Sequence, residues 1–282
     1  MVLGAAGMAG HTIALFFQER GNDVTGFVTR PVPFIKYVLG NALDSETLKN
    51  IIVKEKFDVV INCIGILNKD AEIHPAEAIF LNSYLPHYLV EITENTCTKV
   101  IHMSTDCVFA GNTGPYSEDS FPDGRSVYDR TKALGEIDDS KNLTLRNSII
   151  GPDIKETGIG LFNWFMKQTG YVKGYTKAIW TGVTTLTLAK AMERAIEENL
   201  TGLYNLVNNV SISKYDLLKL FNKYFRDNQL TIEPFDDFCL DKTLLCTRTD
   251  FSYVVPPYEQ MIVEMKEWIE NHKELYPHYY YN

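Results

Sequence analysis

Long apolar runs are missing from this 282-residue sequence, and nothing in it approaches the ~18 consecutive apolar residues of a membrane-spanning helix. A leader pattern is missing too: Met1-Val2-Leu3 runs directly into glycines, with no basic region or cleavage site. Basic residues are in deficit, 27 Lys and Arg against 36 Asp and Glu, a net charge of −9. That excludes a general nucleic-acid binder, which needs clustered cations, but says little about small anions held in a local pocket. Cysteines are few and odd in number (Cys63, Cys97, Cys107, Cys239 and Cys246), with no CxxC. Neither a disulfide framework nor a zinc site is indicated, and a reducing cytoplasm is the expected setting. The six histidines show no HExxH or HxH spacing, so no catalytic metal is expected. What is present is ordinary for a globular chain, 45% hydrophobic and 22% charged. The length supports a full core, burying about three quarters of the unfolded surface by the usual scaling.

The first half alternates short apolar runs with helical patterns. Strands are expected at Met1–Leu3, Asp23–Thr29, Phe57–Ile64, Lys99–Ser104 and Leu143–Ile150. Helices are expected at Gly10–Arg20, at Ser45–Glu55 behind an Asp44 or Ser45 cap, at Ala76–Asn95 and at Tyr128–Ser140. Such alternation predicts an α/β fold: a Rossmann-type, doubly wound parallel sheet covered on both faces. After residue 151 the pattern changes. Gly151–Thr181 reads as mostly loop with one helix near Gly160–Thr169. Then come a helix at Leu186–Asn199, a strand at Leu203–Val207, a helix at Lys214–Phe225, an extended piece near Leu230–Pro234 and a helix near Tyr258–His272. The expected division is a cofactor domain over 1–150, with a segment returning near 183–210, and a smaller substrate-binding lobe drawn mainly from 151–282.

Gly4, Gly7 and Gly10 are spaced GxxGxxG between the first strand and first helix. The first glycine permits a tight turn, the second lets the backbone approach a pyrophosphate, and the third allows close helix–strand packing. Only three residues precede Gly4, fewer than a usual first strand, so a few residues are expected to precede Met1. NAD-binding versions of this motif carry an acid at the end of the second strand. Here that place reads Phe27-Val28-Thr29-Arg30. Arg30 attracts a ribose 2′-phosphate and Thr29 can donate to it, so NADP(H) is expected rather than NAD(H).

Tyr128 and Lys132 form a YxxxK pair, which shares one face of a helix. A phenol near its ordinary pKa is a poor acid–base group at neutral pH, and a neighbouring ammonium is expected to lower it. Ser104-Thr105-Asp106-Cys107 ends the strand that begins at Lys99, where open α/β sheets place ligands, and a hydroxyl there can hydrogen-bond a substrate carbonyl.

With these residues the sequence resembles the extended or atypical short-chain dehydrogenase/reductase superfamily, and more narrowly the dTDP-4-dehydrorhamnose reductase family of nucleotide-sugar 4-ketoreductases. The marks, in chain order, are Gly4/Gly7/Gly10, Asn62-Cys63-Ile64-Gly65, Asn82, the Ser104–Gly111 segment, Gly114–Asp119, Tyr128/Lys132 with Ala133–Glu136, and Leu145-Arg146 leading to Gly151-Pro152. The resemblance implies that Thr105 orients the keto oxygen, with Ser104 able to exchange roles. It implies that Tyr128 donates the proton and that Lys132 holds the nicotinamide ribose and tunes Tyr128. It also implies that the cofactor lies against Gly4, Gly7, Met8, Ala9, Cys63 and Gly65. The substrate implied is a nucleotide-diphosphate sugar, with Trp180 stacking on a ring and Arg248 offering a fork to the diphosphate; Lys173 and Lys177 are weaker candidates. Related 4,6-dehydratases read Thr-Asp-Glu at the strand end, so Cys107 disfavours dehydration, although the reductases commonly carry an aromatic there. An epimerase or dehydratase, and a regulatory cofactor-binding subunit like the β subunit of methionine adenosyltransferase, are the alternatives. The aromatic tail Tyr276–Tyr281 suits either the core or the partner in a homodimer.

Overall fold

The structure is a computed structural model and describes residues 1–280. Tyr281, at the end of the aromatic tail, lies outside the described residues. In chain order the first half contains β1 (Val2–Leu3), α1 (Met8–Glu19), β2 (Thr25–Val28), β3 (Lys36–Leu39), α2 (Ser45–Glu55), β4 (Val59–Asn62), α3 (Asn68–Ile73), α4 (Pro75–Ala78), a π-helical turn (Ile79–Tyr84), α5 (Leu85–Thr93), β5 (Lys99–Thr105), α6 (Val127–Leu134) and β6 (Leu143–Asn147). The second half contains β7 (Ile149–Ile150), α7 (Leu161–Met166), β8 (Tyr171–Trp180), β9 (Val183–Thr184), α8 (Thr185–Glu197), β10 (Gly202–Asn205), β11 (Ile212–Ser213), α9 (Lys214–Phe225), β12 (Thr231–Asp241) and α10 (Tyr258–Asn271).

Seven strands form one parallel sheet in the order β10-β6-β5-β4-β1-β2-β3. Helices α1 and α8 pack on one face, and α2 and α5 cover the other. The fold is therefore a Rossmann-type doubly wound α/β sheet. The strand order reverses between β1 and β4, the place where such sheets form a ligand crevice. β1 is only two residues long, yet both are buried and paired on both sides, Val2 with Gly26 and Ile61, Leu3 with Phe27 and Asn62. Among the described residues no helix is long and apolar enough to cross a membrane.

Four strands lie where none was expected: β3, β8 and the two-residue β9 and β11. β8 occupies the stretch read as loop: its lysines, tyrosines and glycine obscure an outward–inward alternation that becomes plain once burial is known. With β12 parallel to it and β11 antiparallel, it forms a separate three-stranded sheet packed against α9. β3 is an edge strand just after Pro31 and Pro33, mostly exposed, so its sequence carries little apolar periodicity.

Two helices differ from expectation for identifiable reasons. The expected Ala76–Asn95 helix is broken by the π-helical turn. Pro86 has no N–H for the Asn82 carbonyl, and its ring crowds that carbonyl. The expected Tyr128–Ser140 helix stops at Leu134. A Cβ on Gly135 would lie 1.9 Å from the Asn82 carbonyl oxygen, so only glycine passes the π-helical turn here. This early stop turns Glu136 inward to Arg146.

The C-terminal tail is fastened to the glycine turn by a buried chain of hydrogen bonds. His11 Nδ1–H donates to the Gly7 carbonyl at 2.9 Å, which leaves Nε2 to accept from the Tyr276 hydroxyl at 2.7 Å. That hydroxyl in turn accepts from Trp268 Nε1–H at 3.1 Å. Burial holds His11 down to about 4, against 6.5 for an ordinary histidine, and only partly is this offset by its bond to Gly7. The unfolded chain therefore binds the extra proton between these values, and stability falls as pH drops from about 6.5 toward 4. The expected loss from this residue is roughly 3 kcal/mol. Thermal unfolding across that window checks it: wild type should lose stability more steeply than His11→Gln, and equal slopes would refute the assignment.

Candidate active site

One cleft of about 400 Å³ opens at the C-terminal ends of β1, β4, β5 and β6. Its first wall is the glycine turn and the start of α1, with Gly7, Met8 and Ala9 on the lining. Gly4 has φ +76°, a left-handed conformation that side chains disfavour. A Cβ on Gly10 would lie 2.2 Å from the Gly4 carbonyl oxygen, so the strand–turn–helix can close only on glycine. Gly7 caps α1 with no side-chain hydrogen bond, which leaves the helix N-terminus facing the cleft as a donor surface for an anion. The Gly4 N–H donates to the Phe27 carbonyl at 3.0 Å and ties the turn to the end of β2. Thr29 and Arg30 follow that end, exposed and outside the cleft lining.

The second wall comes from the β4 end, Cys63 to Gly65. Burial pushes the Cys63 thiol up to about 12, partly countered by Lys132, so it lines the cleft as a neutral group. Asn82, left outside the catalytic set, is fully occupied: its Oδ1 accepts from Ile66 N–H, and its amide donates to the Ile66 carbonyl and Thr131.

The third wall carries the expected chemistry. Ser104, Thr105, Tyr128 and Lys132 all line the same cleft. Tyr128 and Lys132 share a face of α6, which opens on a capping box between Ser126 and Asp129. Thr105 caps the short turn at Asp106–Val108, accepting from Cys107 N–H and donating to Asp106 Oδ1, both at 3.1 Å. Ser104 donates to Glu136 Oε1 at 2.6 Å, so its proton is committed away from the cleft. One electrostatic expectation is corrected. The Tyr128 phenol is raised, not lowered, by burial first and then by Cys107, and Thr105 offsets only part of this. The Lys132 ammonium is drawn down to the Met103 carbonyl at 2.6 Å and to His102 Nε2 at 3.2 Å. Burial lowers Lys132 to about 8.

The structure places two expected substrate residues away from this cleft. Trp180 is 3% exposed at the end of β8, packed on Tyr258 with the Lys214 ammonium over its ring, and its indole is absent from the cleft lining. Arg248 spends its fork on Asp250 and on the carbonyls of Thr201 and Leu203, at the edge of β10 rather than at the cleft. Lys173 lies over the Phe235 ring, and neither it nor Lys177 lines the cleft.

One residue escaped sequence reasoning. Asn147, at the end of β6, lines the cleft with both amide atoms buried and without a partner. A buried unpaired amide is costly, and a bound polar group would satisfy it. Its position at a strand's C-terminal end was the available signal.

The glycine cradle, the uncapped α1 terminus, the unpaired Asn147 amide and the hydroxyl-bearing third wall meet in one cleft at the switch point of a doubly wound sheet. A profile of the RmlD substrate binding domain matches residues 1–149, and the chain belongs to that family. Methionine adenosyltransferase 2 subunit beta of Xenopus tropicalis is 25% identical over 240 residues, 77% of this chain and 69% of that protein. dTDP-4-dehydrorhamnose reductase of Streptomyces griseus is 30% identical over 138 residues, 48% of this chain and 43% of that protein, so the match spans less than half of that reductase. The solved dTDP-4-dehydrorhamnose reductase of Bacillus anthracis, in complex with NADP, superposes with a TM-score of 0.79 at 17% identity, covering 95% of this chain and 98% of its own; this is a likeness of fold.

Proposed function

We propose that this chain is an NADPH-dependent reductase of a nucleotide-diphospho-4-keto-6-deoxy-sugar. The observation that carries the reading is the convergence of Gly7–Ala9, Thr105, Tyr128 and Lys132 on one cleft. The cradle fits a dinucleotide because glycine at positions 4 and 10 lets the turn pack tightly on β1 and leaves the α1 N-terminus facing the cleft. When bound there, the nicotinamide supplies the hydride. Thr105 and Tyr128 hold the keto oxygen, the Tyr128 hydroxyl gives it a proton, and Asn147 holds a polar group of either ligand. Residues 1–150 with the returning 183–210 segment would form the cofactor side, and the rest the substrate lobe. Dehydration is disfavoured: Cys107 stands where a carboxylate would act, and burial pushes its thiol up to about 12. NADPH oxidation with a panel of nucleotide-4-keto-6-deoxy-sugars tests the reading, and no turnover on any member counts against it.

A regulatory subunit is the second reading. It is favoured by the 25% likeness to methionine adenosyltransferase 2 subunit beta over 77% of the chain. Binding of NADPH without turnover, together with a stable complex with a methionine adenosyltransferase catalytic subunit, would select it.

The cofactor preference rests on Arg30, since no carboxylate ends β2 to repel a 2′-phosphate. Removing one charge-assisted contact costs about 1.5–3 kcal/mol. Arg30→Ala should therefore weaken NADPH binding about 10-fold or more and leave NADH nearly unchanged. Fluorescence titration with both nucleotides measures this, and an NADH preference in wild type refutes it.

A further inference from the structure

Below the cleft, three buried groups form a line, of which the proposed chemistry draws only on Lys132. His102 lies in the middle of β5 and is wholly buried. On one side Asn62 Oδ1 accepts the Ile64 N–H at 3.1 Å, which turns the amide NH₂ of Asn62 toward His102 Nδ1, 3.2 Å away. On the other side Lys132 Nζ stands 3.2 Å from His102 Nε2.

The donor count of this line depends on Lys132. A neutral imidazole offers one N–H and one lone pair. While Lys132 is an ammonium, both neighbours of the ring are donors, and one of the two contacts must set N–H against N–H. If Lys132 gives up a proton, the conflict disappears. The amine lone pair then accepts from Nε2–H, Asn62 donates to Nδ1, and Lys132 still donates to the Met103 carbonyl.

We propose that His102, oriented by Asn62, is a positioning residue that weakens the hold of Lys132 on its proton and so makes Lys132 the proton source for the cleft. The proposal rests on the reductase reading. After the Tyr128 O–H has passed its proton to the keto oxygen, an N–H bond of Lys132 breaks and, relayed by water in the cleft, the Tyr128 O–H re-forms; Lys132 itself contacts His102 and the Met103 carbonyl and not Tyr128. The amine left behind is held by His102 Nε2–H, and solvent later returns its proton. Protons balance at each step, and the hydride is the only reducing equivalent consumed.

The other titratable groups facing this line are Glu136, which follows α6 and raises Lys132, His87 on α5, which lowers His102, and the neutral Cys63 thiol. Lys132 lies near 8 and His102 well below 6.5, burial being the leading cause for both, which agrees with a neutral ring beside a readily deprotonated amine.

The test reads Lys132 directly, by NMR titration of isotope-labelled lysine in the full chain, with the signal assigned through its loss in Lys132→Arg. Asn62→Asp keeps an acceptor for Ile64 and turns the donor facing Nδ1 into an acceptor. The ring then carries its proton on Nδ1 and offers its Nε2 lone pair to the ammonium. The Lys132 midpoint should rise by about one pH unit or more, and the alkaline fall of NADPH oxidation should move up with it. Adding His102→Leu should remove most of that rise. If Asn62→Asp does not fold, Asn62→Ala also removes the donor and should move the midpoint in the same direction. An unmoved midpoint in a folded variant overturns the proposal, and so does a rise that survives His102→Leu, because the carboxylate would then act on Lys132 directly. A Lys132 shift in a protein that oxidises NADPH with no keto-sugar supports the His102 assignment while refuting the reductase reading.

Discussion

Tyr128→Phe should lower NADPH-dependent keto-sugar reduction by about 10²–10⁴-fold, the usual contribution of a positioned proton donor. NADPH affinity should stay within a few-fold of wild type. The phenol is buried, so its hydroxyl is the one atom removed and the ring continues to pack. The unfolding midpoint should consequently shift little. The raised phenol sharpens the expectation: burial and the neighbouring Cys107 keep Tyr128 protonated through neutral pH, which suits a donor and disfavours a phenolate base. Reduction is thus the expected direction of efficient turnover near neutrality, and oxidation of the alcohol should need higher pH. The measurement is kcat and KM of both forms with the same keto-sugar. A Tyr128→Phe rate equal to wild type would remove Tyr128 from the chemistry and move weight to the regulatory reading.

How far this site was legible in the sequence depends on the kind of feature. Gly4, Gly7 and Gly10 were readable because backbone strain and close approach admit only glycine at such places. Tyr128 and Lys132 were readable because helical spacing alone puts them on one face. The partners of a buried polar side chain are not local. That Lys132 turns down to His102, that Ser104 is taken by Glu136 and that Arg248 closes on β10 all depend on tertiary neighbours up to dozens of residues away. The packing of Trp180 was hidden for the same reason, since an indole before a helix looks alike whether it faces a ligand or Tyr258. In the fold, the parallel sheet was visible from its apolar runs, while β3 was hidden because three of its four residues are exposed and β8 because exposed Lys and Tyr residues interrupt its buried positions.

Arg146→Met should destabilise the chain by about 3–5 kcal/mol, the cost of leaving one member of a buried ion pair without its partner. Arg146 is 1% exposed and meets Glu136 through two bonds, Nε to Oε1 at 2.8 Å and Nη2 to Oε2 at 2.6 Å, with its guanidinium 5.0 Å from the Phe109 ring centre. Methionine fills much of the volume, so packing loss is the smaller part of the effect. The larger part is the Glu136 carboxylate, left inside with only the Ser104 hydroxyl as a close donor. Urea or thermal unfolding measures the loss, and the double variant Glu136→Leu/Arg146→Met separates its causes. Removing both charges should recover a large share of the stability, because a buried pair is often no better than an apolar one of the same shape. If the double variant is as unstable as Arg146→Met alone, the loss lies in the packing of Phe109 and not in the orphaned carboxylate. The pair also carries a functional consequence. Glu136 holds Ser104 at the end of β5, one residue before Thr105, so folded Arg146→Met protein should show a lower kcat with NADPH affinity retained.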